Sequence, residues 1–274
     1  MGRKPALTFD LERRGPFEPD AMPLAEARRI AREYYVTEHG YTATPRLLTA
    51  PESQHKLGMS ERPAYGLSLA PADMSGYDVC AWRTAACTAA CVLVTAGKGT
   101  LDSVRKARVV KTRFLAEQPQ AFVTLLYAEL VEAAAKRGGI DFRPNVASDI
   151  RWERVAPALL SIPGVRVYDY TKAPAQHREQ SENYRLVFSV SEREASTEQA
   201  LDYLRSGGNA AVVFATKKGH ALPATWNGVP VIDADTSDSR FDDPRGVVVG
   251  LRAKGAARGT TGSEDGFVKP GVAT

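Results

Sequence analysis

The sequence predicts an α/β protein whose parallel strands wind as an open or closed (β/α) barrel of about seven strands, with a helical extension at the N-terminus. Two observations carry that expectation. Short apolar runs rich in Val, Ile, Tyr and Phe alternate with helical stretches from residue 141 to residue 251, and repeated β–α units of this kind build parallel sheets buried on both faces. Polar residues follow these runs directly, among them Asp149, Asp169, Lys172, Ser189 and Arg252. Barrel enzymes place their active-site loops at that position. Neither a GxGxxG element nor a P-loop follows any run, so the usual nucleotide fingerprints are missing.

Residues 1–60 read as an N-terminal arm and helix. The first 22 are polar, charged and proline-bearing. From Pro23 to Tyr35, Leu24, Ala27, Ile30 and Ala31 recur at helical spacing. Pro23 suits the first turn and Gly40 lies just past the end. Residues 40–63 read as a connecting loop that carries an isolated His55. The barrel-like domain spans 61–258. Its first strand covers 65–71 and ends at Pro71. Helices follow at 101–117 and 120–137; Pro119 starts the second and Gly138-Gly139 stops it. Strands are expected at 141–147, 165–170, 184–190, 210–215, 230–234 and 247–251, with helices at 153–160 and 197–205. Residues 259–274 read as a flexible tail.

All three cysteines lie in one stretch, Cys80-Ala81-Trp82-Arg83-Thr84-Ala85-Ala86-Cys87-Thr88-Ala89-Ala90-Cys91, spaced C-x6-C-x3-C. Thiolates are soft ligands, and a closed structural zinc site takes four ligands. Three on one loop leave a coordination position free; a [4Fe–4S] cluster so held keeps one iron open. Cys80, Cys87 and Cys91 are therefore candidate metal ligands. The same residues have a second reading. Cys87 and Cys91 stand four apart in an alanine-rich run, and free cysteine packs in buried helices as a small hydrophobe. The turn-like lead-in from Asp73 to Gly76, and the absence of cysteine elsewhere, favour ligands.

Composition narrows the function classes. The chain has 274 residues, 43% of them hydrophobic, without an apolar run long enough to span a membrane. No secretory signal is visible at the N-terminus. An odd cysteine count crowded on one loop speaks against a disulfide framework and for a reducing cytoplasm. A net charge of +4 permits nucleic-acid contact without demanding it. Arg105, Lys106 and Arg108, with Lys111 and Arg113, read as the solvated face of a helix; residues 252–258 are a second basic patch. The acidic stretch 233–243 reads as a solvated loop bridged to arginines. It fails as an EF-hand, since Asp238 stands where glycine is needed and Pro244 where glutamate is needed. The four histidines show no HxH or HExxH pairing, which weakens zinc-hydrolase readings.

The cysteine stretch, with Asn145–Asp149, Tyr168–Lys172 and Val248–Arg252, resembles segments of the phage "gene product 88" family over roughly residues 65–255. A cysteine loop on an α/β scaffold is in turn similar to the arrangement of radical S-adenosylmethionine enzymes. The spacing departs from their common C-x3-C-x2-C, and Ala90 stands where they carry an aromatic residue. The resemblance implies that Cys80, Cys87 and Cys91 ligate a [4Fe–4S] cluster and that S-adenosylmethionine chelates its open iron. Asp149, Asp169 and Lys172 are then the candidate catalytic residues, and Ser189 and Arg252 the candidate cofactor contacts. The alternative is a non-catalytic nucleic-acid-binding or interaction protein in which the cysteine loop is structural.

Overall fold

Apolar strand runs need partners on both faces, and the computed structural model, which describes residues 9–53, 60, 62–258 and 266–271, supplies them. A short helix α1 (Leu11–Arg14) precedes α2 (Leu24–Arg32), which continues as a wider turn over Glu33–Glu38. Then come β1 (Leu48–Thr49) and β2 (Ala64–Leu67). The cysteine stretch forms two short helices, α3 (Ala85–Ala89) and α4 (Val92–Thr95). The long helices α5 (Asp102–Glu117) and α6 (Pro119–Arg137) follow. Gly138 ends α6 at φ +68°, a left-handed cap that glycine adopts without strain. After β3 (Ile140–Arg143), α7 (Trp152–Val155), β4 (Val165–Thr171) and β5 (Tyr184–Ser189) come α8 (Ser196–Arg205) and β6 (Asn209–Phe214). The last strands are β7 (Thr225–Trp226), β8 (Val229–Asp233) and β9 (Val248–Arg252).

These strands form one nine-stranded sheet in the order β1-β2-β3-β4-β5-β6-β9-β8-β7. The seven expected strands are the seven that run parallel. The two additions, β1 and β7, are antiparallel edges of two residues each, too short to show a period. Among the described residues the edges do not pair with each other, so the sheet is open. The order also departs from a simple sequential winding, because β9 inserts between β6 and β8. Chemistry explains the exchange. Val248, Val249 and Gly250 are buried, whereas β8 carries Pro230, which lacks a backbone donor and suits an outer strand. At Gly250 a Cβ would lie 2.6 Å from Val231, so only glycine lets the two strands pack this closely.

The two faces of the sheet differ in chemistry. On one, Ile140, Phe142, Val165 and Val167 join Phe114, Phe122, Leu126 and Leu130 of α5 and α6. Leu11, Ala27, Ala31 and Tyr35 belong to the same core, so the N-terminal extension is packed in. Further along this face, Phe188, Val212 and Phe214 meet Ala200 and Leu204 of α8. The opposite face is charged under β3 and β4, and the acidic stretch folds over it. Arg166 donates to both oxygens of Asp141 (2.8 and 3.0 Å) and to both of Asp242 (2.8 Å each). Arg143 pairs with Asp238 at 3.2 Å and lies 4.5 Å from the Tyr170 ring centre. The expected bridging to arginines is present, but Asp238 and Arg240 are buried. A solvated loop is therefore corrected to a charged lid on the sheet.

The expected basic helix face also changes. Arg108 is buried and donates to Leu93 O at 2.8 Å; Arg105 donates to Val94 O and Gly99 O. These two arginines fasten the cysteine segment to α5 instead of facing outward. Among the described residues no helix is long and apolar enough to cross a membrane. His55, residues 1–8 of the arm, and 259–265 and 272–274 of the tail lie outside the described residues. The described part of the tail is held: Lys269 N donates to Val213 O and Lys269 O accepts from Ala215 N, both at 2.8 Å.

Candidate functional site

The cysteine segment leaves β2 through a turn and crosses the C-terminal ends of the parallel strands. Each crossing is fixed by a hydrogen bond. Beside β3, Asp149 N donates to Val79 O at 2.9 Å. Beside β5, Glu192 accepts from the Thr84 hydroxyl at 2.7 Å and from Ala86 N at 3.1 Å. Beyond β9, Ala256 N donates to Thr95 Oγ1 at 3.2 Å. Thr84 is also the N-cap of α3, accepting from Cys87 N at 3.1 Å. A threonine cap satisfies one orphan amide of the first turn, and a carboxylate suits the positive end of that turn. Glu192 lies among the polar residues after a predicted strand, but nothing in its own neighbourhood marks it as the partner of Thr84.

The sulfurs are partly buried. Cys80 Sγ donates to Ala147 O and accepts from Ala72 N, both at 3.3 Å. Burial pushes the Cys80 thiol up to about 12, and Asp149, Cys87 and Cys91 push it the same way. Burial raises Cys91 too, reinforced by Cys87 and opposed by Lys172 and Arg108. The three thiols thus lie within electrostatic reach of one another, beside two cations. Three soft donors fit a cluster with one open iron in kind. As arranged here, no three His, Cys, Asp or Glu side chains among the described residues are close enough to hold a metal ion.

The remaining predicted residues fall into three settings. Asp149 is tied on both oxygens: Oδ1 accepts from Thr171 Oγ1 (2.7 Å) and Arg178 (3.1 Å), and Oδ2 from Lys172 N (2.9 Å). Asp169 is fully buried on the helix-covered side, accepting from Tyr170 N at 2.9 Å and from the Asn145 amide. Burial raises its carboxyl to about 7, against the pull of Arg178 and Arg143. Arg178 joins Asp149 to a further acid, donating to Glu153 at 2.6 Å and to the Tyr184 hydroxyl at 2.6 Å. Lys172 stands near Cys91, with Nζ 5.9 Å from the Phe267 ring centre.

Ser189 and Arg252 are held apart from this group. By strand alternation Ser189 lies on the sheet face opposite Asp169. Arg252 pairs with Asp233 at 2.8 Å and Asp235 at 3.1 Å, and donates to His220 O. Sequence reasoning missed Arg178, Glu153 and Asn145, which complete the buried network. Arg178 sits in an irregular turn after Ala175–His177, where no period or motif could have drawn attention to it. Next to it, Trp82 of the cysteine stretch stacks on His177 with ring centres 5.2 Å apart.

An open, mostly parallel α/β sheet with a thiol-bearing segment laid across its strand ends defines the class. The chain belongs to the gene product 88 family, whose family model matches residues 37–266 and so takes in the cysteine segment and all seven parallel strands. No curated protein gives a significant match. No solved structure does either.

Proposed function

We propose that this chain is an iron–sulfur protein in which Cys80, Cys87 and Cys91 ligate a [4Fe–4S] cluster, with the open iron taking S-adenosylmethionine as in radical S-adenosylmethionine enzymes. One observation carries the reading: the segment that bears all three cysteines is pinned across the C-terminal strand ends through Val79, Thr84 and Thr95, with Lys172 and Arg108 beside Cys91. Active sites of parallel α/β folds lie at that end, and a sheet wound as a partial (β/α) barrel would suit the chemistry. Cations next to thiolates offset the negative charge of a cysteine-ligated cluster. When bound, the cluster and its ligand supply one-electron chemistry leading to hydrogen abstraction from a substrate.

The chain's own residues have defined tasks in this reading. Cys80 gives up its S–H bond to Ala147 O on deprotonation and keeps the Ala72 N–H, a donor of the kind that tunes a ligating sulfur. Asp149 positions the Lys172 backbone and Arg178. Asp169 stays behind the sheet as a positioning residue. Lys172 and Ser189 remain for substrate or cofactor contacts. The test is anaerobic purification and reconstitution, counting iron and sulfide and recording spectra with and without S-adenosylmethionine. About four irons per chain, lost in Cys87→Ala and spectrally perturbed by S-adenosylmethionine, is the expected result. A colourless, iron-free protein after reconstitution overturns the cluster; an iron spectrum indifferent to S-adenosylmethionine overturns the cofactor alone.

A further inference from the structure

A second site lies far from the cysteines in sequence and uses the N-terminal extension. On α2, Leu24, Arg28, Ala31 and Arg32 share one stripe, continued by Tyr35; on α6, Leu125, Ala128, Glu129 and Glu132 share another. Both stripes line a cleft of about 700 Å³ between the helices, closed along one side by residues 44–47. That volume lies within the range of small-molecule sites. Ala31 packs at the floor between the helices, and the small, half-buried Ala128 leaves the space above it open.

The cleft is built as well as roomy. Glu129 accepts from Leu47 N and Leu48 N at 2.9–3.0 Å, and Lys111 Nζ donates to Leu47 O at 2.6 Å, so the side wall is clamped. Arg46 of that wall is held in a two-pronged pair with Glu132, at 2.8 and 3.0 Å. One buried group is left without a hydrogen-bond partner, and two rim cations are left without a close ion pair. Tyr35 is 1% exposed and lines the cleft, yet its hydroxyl has no hydrogen-bond partner among the described residues. A buried hydroxyl left unpaired is unfavourable and calls for explanation. On the rim, Arg28 and Arg32 stand one turn apart and make no ion pair within 4 Å among the described residues, Arg28 facing the Glu132 carboxylate only at longer range.

We propose that this cleft binds a small amphipathic anion, its apolar body between Leu24, Leu47 and Leu125 and its anionic head on Arg28 and Arg32. Guanidinium groups favour carboxylate, sulfonate and phosphate heads alike. A polar atom on the body meets the Tyr35 hydroxyl. The site is independent of the cysteines and stands whether or not a cluster is present.

The test titrates the full-length protein with 8-anilinonaphthalene-1-sulfonate, followed by fluorescence, and then displaces it with octanoate or octyl phosphate. Saturable one-to-one binding is expected, weakened about tenfold or more in Arg28→Ala/Arg32→Ala and less dependent on salt in that variant. Ala128→Trp fills the cleft and should abolish binding, while Tyr35→Phe should weaken it by a smaller factor. The arginine pair is exposed, so its replacement leaves the fold intact and decides the matter even if Ala128→Trp is poorly folded. Whichever competitor displaces the dye at lower concentration identifies the head group. Binding that the arginine variant leaves unchanged, or that neither competitor displaces, overturns the proposal.

Discussion

The carboxylates Asp149 and Asp169 and the thiols Cys80, Cys87 and Cys91 occupy the same end of the sheet, and the chain treats them in opposite ways. Every carboxylate oxygen of Asp149 and Asp169 is already bonded, to a hydroxyl, an amide or a buried guanidinium. Cys80 has two 3.3 Å contacts to backbone groups, and Cys91 is coupled to Cys87, Lys172 and Arg108 across space. A buried charge matched by an opposite charge holds shape; removing one partner strands the other. A half-buried sulfur with weak partners carries no such paired charge, and burial holds its thiol protonated. Position at a strand end therefore does not by itself separate scaffold from site; the bonding of each group does.

The largest effect should come from breaking the acid network at its centre. Arg178→Met leaves Asp149 and Glu153 buried without their cation, and a loss of about 3–5 kcal/mol is expected in urea denaturation. Cys87→Ala, by contrast, should change the stability of the metal-free protein by no more than about 1 kcal/mol. If the two variants lose similar stability, the division between scaffold and site collapses.

Next in size is a pH effect from Asp169. Its folded-state pKa of about 7 exceeds the usual value, so the folded chain holds a proton that the unfolded chain releases. That contribution is complete below about pH 4, declines as pH rises, and is lost by about pH 7, a change on the order of a few kcal/mol. Asp169→Asn should flatten this part of the stability profile. An unchanged slope would place the titration elsewhere and free Asp169 to be considered for the reacting end of the sheet.

The cap of the cysteine segment should matter less to the fold than to the site. Thr84→Ala removes the N-cap of α3 and one of the two bonds to Glu192, with an expected loss of about 1 kcal/mol. Iron retained after reconstitution should fall more than stability does. Equal retention by Thr84→Ala and the unaltered chain would mean that the anchor to β5 does not orient the thiols.

The parallel strands and long helices were legible because each carries a local signal: alternating or continuous apolar runs, Pro119 at a helix start, Gly138 at its end. What the sequence hid was long-range. Glu192 meets Thr84 across 108 residues and Arg178 meets Glu153 across 25, and no periodicity records such pairings. Strand order was hidden for the same reason; the swap of β8 and β9 rests on Pro230 and Gly250, each ambiguous alone. The cysteine stretch was legible in composition and spacing. Its route over β3, β5 and β9 came only from the folded chain.

The finest distinction concerns Cys80 itself. Its folded-state thiol is raised to about 12, whereas an exposed thiol ionises near 8.5. Below the exposed value both states keep the proton and the contribution is whole; above it the unfolded chain ionises first, so stability declines with rising pH. At pH 9 the decline from this group should stay below about 1 kcal/mol. Cys80→Ala should remove it, and alkylation of Cys80 in the metal-free protein should be slow compared with a free thiol. Rapid alkylation at pH 7 would place the Cys80 sulfur in water and contradict its bonds to Ala72 and Ala147.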